Sequence, residues 1–473
     1  MLYIMRPKLI LLLIAFIISC PSKSSSKVIK IYSTEQWMGV YLNQVKIGYS
    51  FAQIQTLKNN YKLVNRIKLN LAMMGQPEEM ISVSSYIIDT SLAMQDFDFS
   101  LQSKTRSFSA QGYINQNKLS IEIKSGGTTK RETREVKDQI YPVNALGYLI
   151  VKRNFQIGKE YLVKTFDATV LSTIDAKVKV LVKEKIKVSG KNYDVTKATI
   201  SYLGVTTTIW IDENGTSRKE ESPPGLVSLA ETREQAIAQE SSKSKLDILS
   251  LFSIPVDTVI SDPRSIRLLK LQINNIDTLG LDLKDDFQTI LQLNPLTLEI
   301  KINNVIPEIK LPINGFQQYL NPTLCVQSDN IDIKKQSGAI INYEKNATKM
   351  VEKIMKWVYT NVQKRPTVSL PSAIDVLKNL EGDCNEHAVL FAALCRAAEI
   401  PTQICVGLVY VDGRFYYHAW NKVYLDKWVP VDATFGQFPV DATHIKFAEG
   451  ELEEQTKVLN VVGAIKIKIL AFQ

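Results

Sequence analysis

From about residue 28 to residue 230, polar and apolar positions alternate in short runs. Examples are Tyr41-Leu42-Asn43-Gln44-Val45-Lys46-Ile47-Gly48-Tyr49 and Tyr193 to Ile200. A period of two is that of a strand with one face buried. In one stretch Lys177, Lys179, Lys183, Lys185 and Lys187 largely alternate with Val178, Val180, Val182, Ile186 and Val188. That pattern predicts a strand with a lysine-coated outer face. Thr206 to Ile211 runs into Asn214-Gly215, a strong hairpin signal. Only Ile140 to Lys152 hints at a helix. Residues 28–235 are therefore expected to form an antiparallel β domain, without a catalytic constellation, that binds or spaces.

Pro223-Pro224-Gly225 closes this block, and the polar stretch Glu231 to Lys245 reads as a short surface helix or a linker. Leu268 to Ile273 and Leu296 to Ile302 are strand-like again, so residues 246–340 are expected to form a small second β module. Beyond residue 341 the period becomes helical. Met350, Ile354, Trp357 and Val358 share one face of Ala347 to Val362, and Ala373 to Leu380 forms a second helix after Ser372. A third helix begins at Cys384. Ala388, Phe391, Cys395 and Ala398 continue its stripe, with Leu390, Leu394 and Ala397 beside them, so it is buried almost all round. Phe415 to Tyr424 and Lys427 to Asp432 follow as strands, joined by a turn at Leu425-Asp426-Lys427, and are expected to pair antiparallel. The fold class is α+β, with residues 341–473 as the last domain.

This last region holds the chemistry. Asp383-Cys384-Asn385-Glu386 has the form of a helix start, with Asp383 as the cap and Glu386 three residues on. Cys384 then sits in the first turn, where free N–H groups and the helix dipole favour a thiolate. His418 shares a strand face with Tyr416 and Trp420, and Asp432 one with Trp428 and Pro430. Pairing of the two strands can bring His418 and Asp432 together. A nucleophile, a base and a carboxylate to orient the base are the minimum set for thiolate acyl chemistry. His387 and Trp420 are weaker candidates, for a substrate-binding or site-wall role. His444 has no nameable partner and reads as structural, and Cys395 and Cys405 read as small buried residues.

The N-terminus adds an address. Arg6 and Lys8 precede an unbroken apolar run from Leu9 to Ile18, too short to span a bilayer and suited to a signal peptide. It ends in Ile17-Ile18-Ser19-Cys20, which resembles a bacterial lipobox, and 21–27 reads as a tether. Residues 1–20 are thus expected to be a lipoprotein signal peptide with Cys20 as the lipidated residue. That implies a membrane-anchored protein of the cell envelope. The net charge of +9 is spread along the chain, which argues for solvated strand faces and against a nucleic-acid partner. The five cysteines form neither metal spacing nor a paired framework. No metal and no other cofactor is expected.

Gly-Asp-Cys-Asn-Glu-His-Ala (382–388), Tyr-His-Ala-Trp (417–420) and Trp-Val-Pro-Val-Asp-Ala-Thr (428–434) together resemble the transglutaminase-like superfamily, in its bacterial envelope branch. The resemblance covers roughly residues 345–460. It implies a papain-like α+β fold with Cys384 as nucleophile, His418 as general base and Asp432 as its orienter. The family includes peptidases, amidases and transamidases, and membership does not set the reaction. The expectation here is attack of the Cys384 thiolate on a peptide or carboxamide bond of a protein or peptide through a thioester, with hydrolysis favoured over transamidation. The family also holds catalytically silent binding and assembly modules, which is the alternative.

Overall fold

The computed structural model describes residues 33–473 apart from 74–75, 104–106, 126–127, 203–204, 224, 239–252, 277, 279, 366–370, 452–457 and 459–464. The expected signal peptide, the tether and Cys20 lie outside the described residues, as do 239–245 of the expected linker. A large antiparallel β region comes first, and a mixed α/β region follows.

Among the described residues the first region is one fifteen-stranded sheet. Strands β1 (Thr34–Leu42), β2 (Val45–Thr56), β3 (Asn60–Met73), β4 (Gln76–Asp89), β5 (Met94–Gln102), β6 (Ser107–Asn115), β7 (Lys118–Ser125) and β8 (Thr128–Glu135) form one meander. A second meander contains β9 (Tyr141–Pro142), β10 (Glu160–Asp167), β11 (Ser172–Val188), β12 (Lys191–Tyr202), β13 (Val205–Ile211), β14 (Ser217–Ser222) and β15 (Leu226–Glu231). The two join where β1 pairs with β15. The ambiguous stretch near Ile140 becomes helix α1 (Leu146–Lys152), whose Leu146, Leu149 and Ile150 pack with Phe97, Phe99 and Phe166. The lysine alternation holds on β11, with Val178 and Val180 buried between exposed lysines. A register slip after Val180 then turns Val182 outward, because an extra residue in one strand reverses the faces. Past the sheet, α2 (Arg233–Ile237) starts on a Thr232–Gln235 capping box.

The remaining elements share one core that runs from Ile254 to Ile469. Strands β16 (Ser253–Pro255), β17 (Leu268–Asn274), β18 (Gln288–Leu293) and β19 (Leu296–Lys301) precede helices α3 (Ile331–Ile341) and α4 (Ala347–Asn361). Then come β20 (Gln363–Lys364), α5 (Ala373–Asn379), β21 (Glu381–Gly382) and α6 (Cys384–Ala397). Strands β22 (Thr402–Val411), β23 (Arg414–Tyr424), β24 (Trp428–Val431), β25 (Ile445–Glu449) and β26 (Lys466–Phe472) end the chain.

Here the expected boundaries change. The stretch 246–340 is not a module of its own. Its β16 pairs with β23, β17 pairs with the C-terminal β26, and its apolar side chains join the core around α6. Alternation along these strands shows one buried face but not what covers it. A buried ion cluster fastens the same segment to the C-terminal strands. Lys446 reaches Asp282 at 2.9 Å and Asp285 at 3.0 Å, Lys422 reaches Asp285 at 2.9 Å, and both lysines meet Glu449. Helix α3, missed in the sequence pattern, also packs against α6.

Candidate active site

Gly382 admits the chain into α6: a Cβ there would lie 2.2 Å from the Glu386 Cβ. Asp383 caps the helix, accepting from the Asn385 N–H at 2.8 Å, and the Asp383 N–H donates to Glu386 Oε2 at 3.0 Å. Both halves of the expected capping box are present. Cys384 is half-buried in the first turn.

Strand β23 receives this helix tip. On one edge it pairs with β22 along its length. On the other, β16 takes 414–416 and β24 takes 421–424, which leaves 417–420 for α6. The Ala419 N–H faces the Cys384 sulfur and favours its thiolate. The Tyr417 hydroxyl meets Asn385 Oδ1 at 3.1 Å, and Asn421 Nδ2 donates to the Ala388 carbonyl at 3.0 Å. The sulfur therefore lies beside the residue that follows His418. His418 Nε2 is 2.8 Å from Asp432 Oδ2, so Nδ1 is the ring nitrogen left for the thiol. The expected strand pairing of 421–424 with 428–431 is what brings Asp432 there.

Asp432 is fully saturated. Its Oδ1 accepts from the N–H groups of Thr434 at 2.7 Å and Phe435 at 3.1 Å, and its Oδ2 meets His444 Nε2 at 3.0 Å as well as His418. The chain continues from His444 Nδ1 to Asp441 at 3.4 Å, and from Asp441 to Arg264 at 2.8 Å. Arg264 lies 4.1 Å over the Phe435 ring, which in turn stacks on His418. His444 was read as partnerless. It is instead the second imidazole on the orienting carboxylate. Asp441 three residues before it was the only local signal, and nothing in the pattern ties either residue to Asp432 or to Arg264, 180 residues earlier.

The electrostatics follow from this chain. Burial alone would raise the Asp432 carboxyl, but His418 and His444 hold it well below the usual carboxylate range. Burial opposes charge on His444, yet Asp441 and Asp432 push its pKa up to about 9. Burial lowers His418, and the neighbouring His444 charge adds to that, so at neutral pH its ring is an uncharged base. Cys384 departs from the sequence expectation. Burial and then the Asp383 carboxylate push the thiol well up, against the pull of the Ala419 N–H. The cap that builds the helix start also places a negative charge beside the sulfur, which adds to the effect of burial. At rest the pair is a thiol and a neutral imidazole.

His387 and Trp420 do not wall an open groove. His387 is fully buried, with Nδ1 2.7 Å from the Asp383 carbonyl and Nε2 3.3 Å from that of Val362. Trp420 is 1% exposed and stacks behind His418, its indole Nε1 buried without a hydrogen-bond partner. Cys325, Cys395 and Cys405 are buried free thiols. The ligand-capable atoms of His418, Asp432 and His444 lie within 4.8 Å of one another, but they are spent on hydrogen bonds among themselves.

Residues 334–433 match the family model of the transglutaminase-like superfamily. The match runs from within α3 through β24 and ends just past Asp432. No curated protein matches the chain by sequence. Among solved structures, the chain is similar to a proposed cysteine protease from Cytophaga hutchinsonii, with 20% identity and a TM-score of 0.29 over 44% of this chain and 86% of that one. It is also similar to a proposed protease from Parabacteroides distasonis, with 9% identity and a TM-score of 0.21 over 74% and 69%. A β-barrel-like protein from Brucella abortus, of a domain family of unknown function, overlaps at 12% identity and a TM-score of 0.35 over 43% and 97%.

Proposed function

We propose that the transglutaminase-like domain is a cysteine-dependent acyl-transfer enzyme acting on a peptide or carboxamide bond. The observation that carries this reading is the His418 imidazole oriented by Asp432 at 2.8 Å, on the strand that Asn385 and Ala388 of the Cys384 helix bond through Tyr417 and Asn421. His418 Nδ1 takes the thiol proton as the sulfur adds to the substrate carbonyl carbon. Asp383 occupies the N–H of Asn385 and, through its carbonyl, that of His387. The Cys384 N–H is then the donor at the helix tip that the developing oxyanion meets. On collapse the C–N bond breaks, and His418 returns its proton to the departing amine. Water or a second amine then attacks the thioester and releases the thiol. Hydrolysis is the favoured outcome. The anchored envelope location expected from Cys20 belongs to the same proposal.

One observation favours a catalytically silent binding module instead: the thiol is pushed up by burial, and His418 is only 4% exposed. A single experiment separates the two. Wild type and Cys384→Ala are incubated with envelope extract and a labelled primary amine. New peptide ends or amine incorporation are expected with the wild type and not with the variant. Identical outputs from both would remove the enzyme reading.

A further inference from the structure

The β region holds a cavity of about 630 Å³ that the active-site argument does not use. It lies beside the core packed around α1. Its floor is laid out in rungs across the sheet. One rung runs Met38, Ser50, Ile67, Ser82, Leu101, and Val40, Leu69 and Met80 line the cavity beside it. Large aliphatic side chains thus alternate with residues too small to fill the space above them. Elsewhere in the same region Phe97, Phe99, Phe108 and Phe166 fill it. Ile67, Leu69, Met80 and Leu101 remain half-exposed in consequence. Apolar walls around such a volume, with a few polar groups, match the pockets of about 300–1,000 Å³ that hold small ligands.

The polar groups state which head would suit. Asn65 Oδ1 is buried without a hydrogen-bond partner, and Asn65 lines the cavity. A buried acceptor left unpaired is costly, and a ligand donor would recover that cost. Glu220, facing Ser228 across the sheet, adds a second acceptor, and burial raises its carboxyl. No lysine or arginine lines the cavity among the described residues, so an anionic head would meet no cation and one carboxyl. We infer that this cavity binds the hydrocarbon chain of an uncharged amphiphile whose hydroxyl head donates to Asn65, in the class of long-chain alcohols and monoacylglycerols. The inference is independent of the chemistry at Cys384.

The test uses the full chain and the neutral fluorophore N-phenyl-1-naphthylamine. Saturable one-site binding is expected, with displacement by 1-dodecanol or 1-monolauroylglycerol at concentrations at least tenfold below that of dodecanoate at pH 8. Ser82→Trp places an indole in the cavity and should weaken probe binding at least tenfold, with unchanged circular dichroism and unchanged Cys384 alkylation. Whatever signal this variant retains measures binding elsewhere on the molecule. Asn65→Leu, a milder change, should keep the probe and erase the preference for alcohol over acid. Equal binding by wild type and Ser82→Trp overturns the site. Equal displacement by dodecanoate, or displacement by an apolar peptide alone, overturns the ligand class.

Discussion

A second imidazole on the orienting carboxylate changes what Asp432 does for His418. A lone aspartate beside a histidine raises its basicity. Here the charge on Asp432 is shared with His444, whose own charge disfavours a proton on His418. On the proposed chemistry, the His444 charge would keep His418 available as a base into mildly acid solution. His444→Gln should raise the His418 pKa and move the acid limb of Cys384 alkylation to higher pH. An unmoved limb, or one moved downward, would remove this role. The same residue couples to stability. Its folded pKa of about 9 exceeds the ordinary value of 6.5, so its contribution is complete below pH 6.5 and is lost as pH rises through 9. At about 1.4 kcal/mol per unit that contribution is on the order of 3 kcal/mol. Urea unfolding of wild type and His444→Gln at several pH values should show a stability gap that closes with rising pH.

The start of α6 serves two purposes that conflict. Asp383 secures the helix, yet its carboxylate stands second among the causes that push the Cys384 thiol up. Asp383→Ala should therefore cost about 1 kcal/mol of stability through the lost cap. It should also speed Cys384 alkylation at pH 8. Slower alkylation in a folded variant would mean that the carboxylate assists the sulfur rather than opposing it. Gly382→Ala tests the approach to the same turn. Its Cβ would collide with the Glu386 Cβ, not with the far end of a flexible chain, so the capping box must shift. Loss of at least tenfold in activity is expected, with a lower melting temperature. Normal turnover would show that the turn tolerates the shift.

For the whole molecule, the consequence lies in how the site is assembled from distant sequence. Arg264 completes the charge chain behind Asp432, β16 covers one end of β23, and the Asp282–Asp285 segment binds Lys422 and Lys446. A chain that begins at residue 341 lacks all of these and should be unfolded by circular dichroism, whereas one that begins at residue 253 should fold. Folding of the shorter chain would restore the two-module organisation. Asp285→Ala leaves two buried lysines short of a partner, a loss that typically costs about 3–5 kcal/mol.

Local pattern determined much of this protein. The meandering strands, the helices that start at Ala347, Ala373 and Cys384, the Asp383 cap and the antiparallel pairing that carries Asp432 to His418 all follow from periodicities and turns of a few residues. Those signals are local because hydrogen bonding within a helix turn or a tight hairpin involves near neighbours in the chain. Tertiary structure alone decided the rest: that 246–340 belongs to the core around α6, that His444 and Arg264 stand behind Asp432, and that burial pushes the Cys384 thiol up. Burial and the summed field of charges depend on which distant segments meet, and no short stretch of sequence carries that information.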